Sequence, residues 1–521
     1  MSLAEPRLTA PVAWLPWHGP RAGAACLTLA MTAAIIGAFA AGVAFWTPLA
    51  VMALPLMLLA ALWISGGTAT ALLGMVAPAP APGVPLAGWR PQSRTAILVT
   101  LCNEDPFPLA RHLEALRAGL NRAGLQDATE IFVLSDTSGA ENVTREEAAF
   151  RRLSTAGHLT YRRRTANTGR KPGNIAEWVE ARGRAFDHML VLDADSRMSA
   201  DRIRRMIWQM DRRADLGLLQ AGIGLLPGRT RFGRHQRVAA RLLSRGFGRG
   251  FAAWTGESGN YWGHNAIMRV AAFRAACDLP VLSGRAPWGG SVLSHDFVEA
   301  AWIRRAGWAV MLDPATAGSA EEAPQNVAAF HARDRRWCQG NLQHLRLIAG
   351  PGLDPVSRLH LAMGILSYLV APIWLLLVVS VALGGVPVAG LWPVGVVAAV
   401  LLTPKLCALV EWWQVARTPR RRGTVLRASL GELVLSSLIA PLVMFRQAGA
   451  VLSVALGRDC GWKSGDGNGW RLRPGLAEAV AGWVFLALAI LLSGAAAAWL
   501  APIALGLCFA PLVMRILDAP V

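Results

Sequence analysis

The chain has 521 residues, 54% hydrophobic and only 16% charged, with a mean hydropathy of +0.37. A soluble domain carries about 25% charged residues, so an all-soluble protein is excluded, and the length allows one soluble domain beside a membrane domain. The net charge of +19 does not point to nucleic acid: membrane proteins concentrate Lys and Arg in cytoplasmic loops, anionic headgroups favour basic surface nearby, and no helix-turn-helix, zinc-finger or RNA-binding aromatic motif is present.

Residues 1–22 are short and mixed and read as a cytoplasmic N-terminus. Ala24 to Phe45 is apolar and long enough to span a bilayer. It is too long for a signal-peptide core, and a second apolar run follows at Pro48–Val76. Residues 23–77 therefore read as a transmembrane hairpin. Pro78 to Pro85 (PAPAPGVP) begins a stiff linker over 78–93.

From 94 to 350 the pattern becomes soluble α/β. Ala96–Leu101, Glu130–Leu134, Leu159–Tyr161, His188–Leu192 and Leu216–Gln220 read as strands. Pro108–Gly124, Lys171–Gly183 and Ser199–Arg213 read as helices. This alternation predicts a mostly parallel sheet with helices on both faces. Ligands of such sheets bind beyond the carboxyl ends of the strands. Asn103-Glu104, Asp136 and Asp193/Asp195 lie at such ends and are expected in one crevice.

Apolar character returns over 351–457, with spans expected at 359–382 and 388–412 and a basic loop at Arg417–Arg427. Residues 428–456 fit one span, a re-entrant hairpin kinked at Pro441, or a span plus an interfacial helix. The stretch 458–475 is Gly-rich and basic and carries Trp462 and Trp470. Its charge favours an even number of crossings before it, and its glycines suit a gating loop whose Trp462 or Trp470 touches the nucleotide. A second hairpin is expected over 476–521. The seven cysteines form no CxxC pair and no Cys/His cluster.

Asp193-Ala-Asp195 is the sharpest chemical signal. Two carboxylates closing a strand suit Mg²⁺ or Mn²⁺, which bind through one or two carboxylates plus substrate phosphates. Asp195 or Ser196 capping the next helix is the plain alternative. Ser294-His295-Asp296 offers a general base for transfer to a hydroxyl, or again a helix cap. Arg333-Asp-Arg335-Arg336-Trp337 can hold a diphosphate and stack on a sugar, or form a basic membrane-surface helix. Gly256–Gly259 with Tyr261, Trp262, His264 and Asn265 suits a sugar-acceptor channel or a turn with buried aromatics. Asn167 to Asn174, with Lys171 and Gly173, places a helix start and a lysine where phosphate would bind, or forms a simple turn.

As a set and in this order, Asn103-Glu104, Asp136, Lys171-x-Gly173-Asn174, Asp193-x-Asp195, Asp296 and Arg336-Trp337 resemble the processive family 2 glycosyltransferases, membrane synthases such as cellulose and hyaluronan synthase. The segments LDADSRMSAD, ESGNYWGHNAIMRV, SHDFVEAAWIRRAGW and RDRRWCQGNLQHLRL are more similar to the glucans biosynthesis glucosyltransferase H family, makers of osmoregulated periplasmic glucans. The resemblance implies a GT-A-type α/β domain inserted between transmembrane helices of the bacterial inner membrane, with its catalytic domain cytoplasmic. It implies UDP-glucose as donor, a divalent metal, and a β-1,2-linked glucan as the growing product. Carried over residue by residue, Glu104 and Asp136 bind uridine, and Lys171 and Asn174 contact the nucleotide. Asp193 and Asp195 take the metal and diphosphate, Asp195 more directly, and Asp296 is the base. Arg336 and Trp337 hold diphosphate and acceptor; from their own chemistry, not the resemblance, Arg333 is assigned to the donor and Trp262, His264 and Asn265 to the acceptor. Membrane lipid, an acyl carrier protein and a periplasmic glucan-processing protein are candidate partners. A cellulose-like synthase or a lipid-phosphate sugar transferase is the alternative within family 2. The Gln of the broad family's Gln-x-x-Arg-Trp is Arg333 here, and its Thr-Glu-Asp is Ser294-His295-Asp296.

Overall fold

The computed structural model describes residues 19–78, 88–276, 278–383, 386–387, 390, 392–460, 474–493 and 497–521. Helices α1 (Gly19–Gly42) and α2 (Pro48–Val76) come first. The α/β domain then runs β1 (Thr95–Leu101), α3 (Pro106–Arg122), β2 (Thr129–Ser135), α4 (Ala140–Thr155), β3 (Thr160–Arg163), α5 (Arg170–Arg182), β4 (His188–Asp193), β5 (Arg197–Met198) and α6 (Ala200–Arg212). It continues through β6 (Leu216–Ala221), β7 (Gly224–Leu225), α7 (Arg231–Thr255), β8 (Ala266–Arg269), α8 (Val270–Ala276), β9 (Val281–Leu282) and β10 (Gly290–Ser291). It closes with α9 (His295–Arg305), β11 (Ala309–Asp313), β12 (Ser319–Glu321) and α10 (Val327–Gln343). Then follow α11 (Pro355–Ala382), α12 (Trp392–Val415), α13 (Pro419–Ala455), α14 (Leu476–Ser493), α15 (Ala497–Cys508) and α16 (Ala510–Asp518).

Seven strands form one sheet in the order β11-β6-β8-β4-β1-β2-β3. Only β8 runs against its neighbours β4 and β6, so the sheet is mostly parallel, as the alternating pattern predicts. Side chains alternate between faces along each strand. Ala96 and Leu98 pack with Phe132, Trp178, Val298 and Trp302 on one face. Ile97, Val99 and Leu101 pack with Leu109, Leu113, Phe150, Ile203 and Met206 on the other. Helices thus cover both faces, and the site is left to the strand ends. The sequence expectation lacks α4 and α7. In α7 the arginines and glycines dilute the apolar periodicity that marks a helix.

Among the described residues five helices, α1, α2, α11, α12 and α13, are long and apolar enough to cross a membrane. The first four match the expected spans within a few residues. The stretch expected to be a basic loop, Arg417–Arg427, is mostly the opening of α13, capped by Thr418. For 428–456 the structure gives one unbroken helix rather than a re-entrant hairpin. At 37 residues, α13 is about 55 Å long at 1.5 Å per residue. It stays against the α/β domain. Ile439 and Leu442 pack with Phe232, Val327 and Phe330, and Ala450 and Val454 pack with Cys338 and Leu342 of α10. Just beyond its end, Gln339 Nε2 donates to Asp459 Oδ1 at 2.8 Å and Cys460 N donates to Gln339 Oε1 at 2.8 Å. Its outer side exposes Leu426, Leu430, Val434, Leu452 and Leu456. The following segment therefore begins on the side of the α/β domain. Residues 461–473, including Trp462 and Trp470, lie outside the described residues.

The α/β domain and the membrane helices meet backbone to backbone where α7 crosses α2. A Cβ on Gly250 would overlap the Thr70 carbonyl, and one on Gly74 would overlap the Gly246 carbonyl. Arg249 donates to the Gly74 carbonyl and pairs with Glu411 of α12. Gly250→Ala is expected to destabilise the protein by about 1–3 kcal/mol through overpacking, read as a lower thermal unfolding midpoint in detergent.

Candidate active site

Parallel register carries four strand ends to one edge of the sheet. Leu101 pairs with Ser135, Thr100 with Asp193 and Ser135 with Arg163. Glu104, Asp136, Arg164 and Asp193 therefore follow one another along that edge. The antiparallel β8 starts there too, Ala266 pairing with Val191, which places Gly263, His264 and Asn265 beside Asp193.

At the β1–β3 end, Asp136 meets an arginine that no motif singled out. Arg164 Nε and one terminal nitrogen donate to its two carboxylate oxygens at 2.8 and 3.0 Å. Both side chains are almost fully buried, at 5% and 6% exposed. The Arg164 guanidinium also donates to the carbonyls of Thr168 and Arg170, tying the turn before α5 to the strand ends. Asp136 is thus the locked floor of the expected uridine pocket. Asn174 departs further from its expected contact: it is buried, and Arg162 engages both its side-chain oxygen and its carbonyl. Glu104 stays exposed at the rim, accepting from Cys102 N at 2.5 Å. Arg164→Ala would leave a buried carboxylate without its counter-charge. The expected cost is about 3–5 kcal/mol, measured as loss of stability and of nucleotide binding together.

At the β4 end, Ser199 caps α6 through the Arg202 N–H at 3.2 Å, so Asp195 and Ser196 are not the cap. Lys171 Nζ pairs with Asp193 Oδ1, which also accepts from Thr100 Oγ1 at 3.0 Å. Burial opposes the charge on Asp193, but Lys171 and His264 outweigh it and hold its pKa well below the usual range. Lys171 therefore touches Asp193 rather than standing free for a nucleotide. Two residues after Asp195, β5 pairs with β12, which ends at Glu321. Glu321 Oε2 lies 3.3 Å from His264 Nε2 and 3.3 Å from an Arg333 guanidinium nitrogen. No sequence motif marks Glu321; only the small three-stranded sheet brings it here.

Asp195 sits among these groups and differs from all of them. Its carboxylate accepts no hydrogen bond from the described residues. Burial, then repulsion from Asp193 and Glu321, pushes its pKa up to about 6. Crowded hard oxygens of this kind fit Mg²⁺ or Mn²⁺. Among the described residues no three His, Cys, Asp or Glu side chains form a ready cage, so such an ion would complete its shell with substrate oxygens and water.

Gly263 joins this corner to the next. Its carbonyl accepts from Lys171 Nζ at 2.7 Å and from the Tyr261 hydroxyl at 2.6 Å. It adopts φ +89°, and a Cβ there would stand 3.7 Å from Asp296 Oδ2. Asp296 lies in the first turn of α9, where Ser294 precedes the helix without a side-chain cap bond. Its carboxylate carries no ion pair with a described residue, and burial raises its pKa. Gly340 of α10 supports this turn: a Cβ on Gly340 would overlap Ser294 Oγ, and His344 lies 3.1 Å from the Ser294 carbonyl.

The other expected acceptor residues divide. Trp262 is half-buried, and its N–H donates to Gln220 at 2.9 Å. Trp337 is 45% exposed, but the Arg333 guanidinium covers one ring face at 4.3 Å. Arg336 is part-buried on the same helix. His264 belongs to the Asp193–Glu321 side, where both carboxylates raise its pKa against the effect of burial. Asn265 is fully buried, donating to Ser319 Oγ at 2.9 Å. It orients β12 and does not line an acceptor channel.

Family models match the part of the chain that carries these residues. Glycosyl transferase family 2 matches residues 96–276, and glycosyl transferase family group 2 matches 188–387. Among curated relatives, glucans biosynthesis glucosyltransferase H of Bradyrhizobium diazoefficiens is 40% identical, over 80% of this chain and 60% of its own length. That of Vibrio cholerae is 38% identical over 89% and 69%, and that of Xanthomonas euvesicatoria is 37% identical over 85% and 76%. The chain thus spans between about three fifths and three quarters of these relatives. Among solved structures, a Pyrobaculum calidifontis mannosyltransferase in complex with GDP-Man and Mn²⁺ aligns with a TM-score of 0.42 at 14% identity, over 79% of this chain and 98% of that one. With relatives this similar over most of both lengths, the chain belongs to the glucans biosynthesis glucosyltransferase H family, within the family 2 glycosyltransferases.

Proposed function

We propose that this protein is an inverting, metal-dependent glucosyltransferase of the bacterial inner membrane. It polymerises glucose from UDP-glucose into a β-1,2-linked glucan at the cytoplasmic face and helps pass the product to the periplasm. The observation that carries this reading is Gly263, flanked by the Lys171–Asp193 pair on one side and the unpaired Asp296 on the other. Inversion needs a base across the sugar from the departing diphosphate, and in this reading Asp296 is that base, beyond Gly263 from the Lys171–Asp193 pair.

In this mechanism the hydroxyl at the glucan end attacks the anomeric carbon of the donor. Asp296 takes the hydroxyl proton as the new C–O bond forms, and the bond to the UDP oxygen breaks. Asp195 would hold Mg²⁺ or Mn²⁺, with Asp193 behind it; the ion, when bound, neutralises charge on the diphosphate. Arg336 faces that diphosphate from α10. Lys171 fixes Asp193 and the Gly263 carbonyl together, so both halves of the site move as one. Glu104 and the Asp136–Arg164 pair bound the uridine end, while Trp262 and the open face of Trp337 receive the acceptor sugars.

The test is incubation of purified protein with UDP-glucose and Mg²⁺, followed by sizing and linkage analysis. A ladder of 1,2-linked glucose polymers supports the reading. A single sugar on a lipid phosphate, or a 1,4-linked polymer, would sink it.

A further inference from the structure

A cavity of about 460 Å³ lies outside the catalytic centre, between α10, α13 and the start of α14. Its polar wall comprises His331, Arg335, Arg446, Arg458, Asp459 and Glu478. Two of these charges are matched within the protein: Arg446 Nε donates to Glu478 at 2.5 Å, and Asp459 accepts from Gln339. Arg335 and Arg458 are not matched. Neither guanidinium makes an ion pair or hydrogen bond with a described residue, yet both face the same cavity. Burial keeps His331 neutral, with its pKa pushed down to about 4. Two like charges facing one pocket favour an anion between them, and the planar fork of arginine suits phosphate oxygens.

The apolar surroundings indicate where the phosphate comes from. Phe445, Gly449 and Ala450 line the same space. Within a turn or two on the same helices, Leu452 and Leu456 of α13 and Val480 and Trp483 of α14 are more than half exposed. These are surfaces for acyl chains, on α13, which is long and apolar enough to cross a membrane, and on the apolar α14. We propose that this cavity binds the phosphate of one anionic phospholipid through Arg335 and Arg458, with its acyl chains against α13 and α14. Because α10 also carries Arg336 and Trp337, bound lipid would brace the helix on which the catalytic residues stand.

The full-length protein would be purified in detergent and analysed by native mass spectrometry after exchange into nanodiscs of phosphatidylcholine, with or without phosphatidylglycerol. One phosphatidylglycerol is expected to stay bound through detergent extraction, and to raise the unfolding midpoint relative to phosphatidylcholine alone. Arg458→Gln is expected to cut retention about tenfold, the worth of one charge-assisted bond, with Arg458→Lys keeping most of it. Arg458 is exposed, so the variant is not expected to disturb folding; Arg335→Gln extends the test. Arg421→Gln, on the exposed basic turn of α13, controls for general surface charge and should change nothing. Undiminished retention in Arg458→Gln and in the double variant would overturn the site. A thermal shift with millimolar inorganic phosphate equal to that with phosphatidylglycerol would overturn lipid as the occupant.

Discussion

Asp296→Asn is expected to lower glucose transfer by about 10²- to 10⁴-fold, the usual worth of a positioned base, while UDP-glucose still binds. Asparagine keeps the shape of the side chain but cannot take the acceptor proton. The pH profile gives an independent reading. A base works only when ionised, so activity is present above its pKa and lost as pH falls through it. Burial raises the Asp296 pKa, so the acid limb of kcat should lie above the ordinary aspartate value of about 3.9. In the Asn variant that limb should disappear from the residual rate. A variant that keeps its full rate, or an unchanged acid limb, would remove Asp296 from the chemistry.

Asp195→Asn is expected to act on the other half of the reaction. Loss of about 10²- to 10³-fold in rate is the scale for removing one stabiliser of developing charge. Unlike the Asp296 change, it should also weaken Mg²⁺-dependent binding of UDP, measured by titration calorimetry. Asp193→Asn should behave differently again. Asp193 is already paired with Lys171, so its removal frees a lysine rather than emptying a metal position. A smaller loss than for Asp195 is expected, with a disturbed Gly263 carbonyl as its cause. Equal losses of metal-dependent binding in both variants would show that the two carboxylates share the ion directly.

Much of this site was legible because its chemistry sits at strand ends. Asp136, Asp193 and Asp195 follow apolar runs whose period reveals the strands, and parallel register does the rest. The apolar helix pair α1 and α2 was legible for a similar reason, since length and hydropathy alone mark it. What stayed hidden depends on contacts between distant segments. Arg164 looks like one arginine in a basic run (RRR at 162–164) until β2 and β3 pair and deliver it to Asp136. Glu321 has no local signature and reaches Asp195 only because β12 pairs with β5. Asn265 carried a misleading signal: it stands in an aromatic, Gly-rich segment yet turns wholly inward. The path of α13 was open in the sequence because an apolar helix looks the same whether it enters a membrane or lies along a protein. Phe232, Val327 and Cys338 show which parts of it pack on the α/β domain.

Gly263 has no side chain to vary, and that limits how a site of this design can change. The separation between the leaving-group side and the proton-accepting side is fixed by one peptide unit, clamped by Lys171 and Tyr261. A side chain there would meet Asp296 only at ordinary contact distance, but at φ +89° it would strain the peptide that joins the two sides. Different sugars or linkages would therefore have to come from the outer walls, where Trp262 and Trp337 stand, while the centre keeps one gauge. A Gly263→Ala protein would keep every group of the site and carry its cost as strain in the hinge between them.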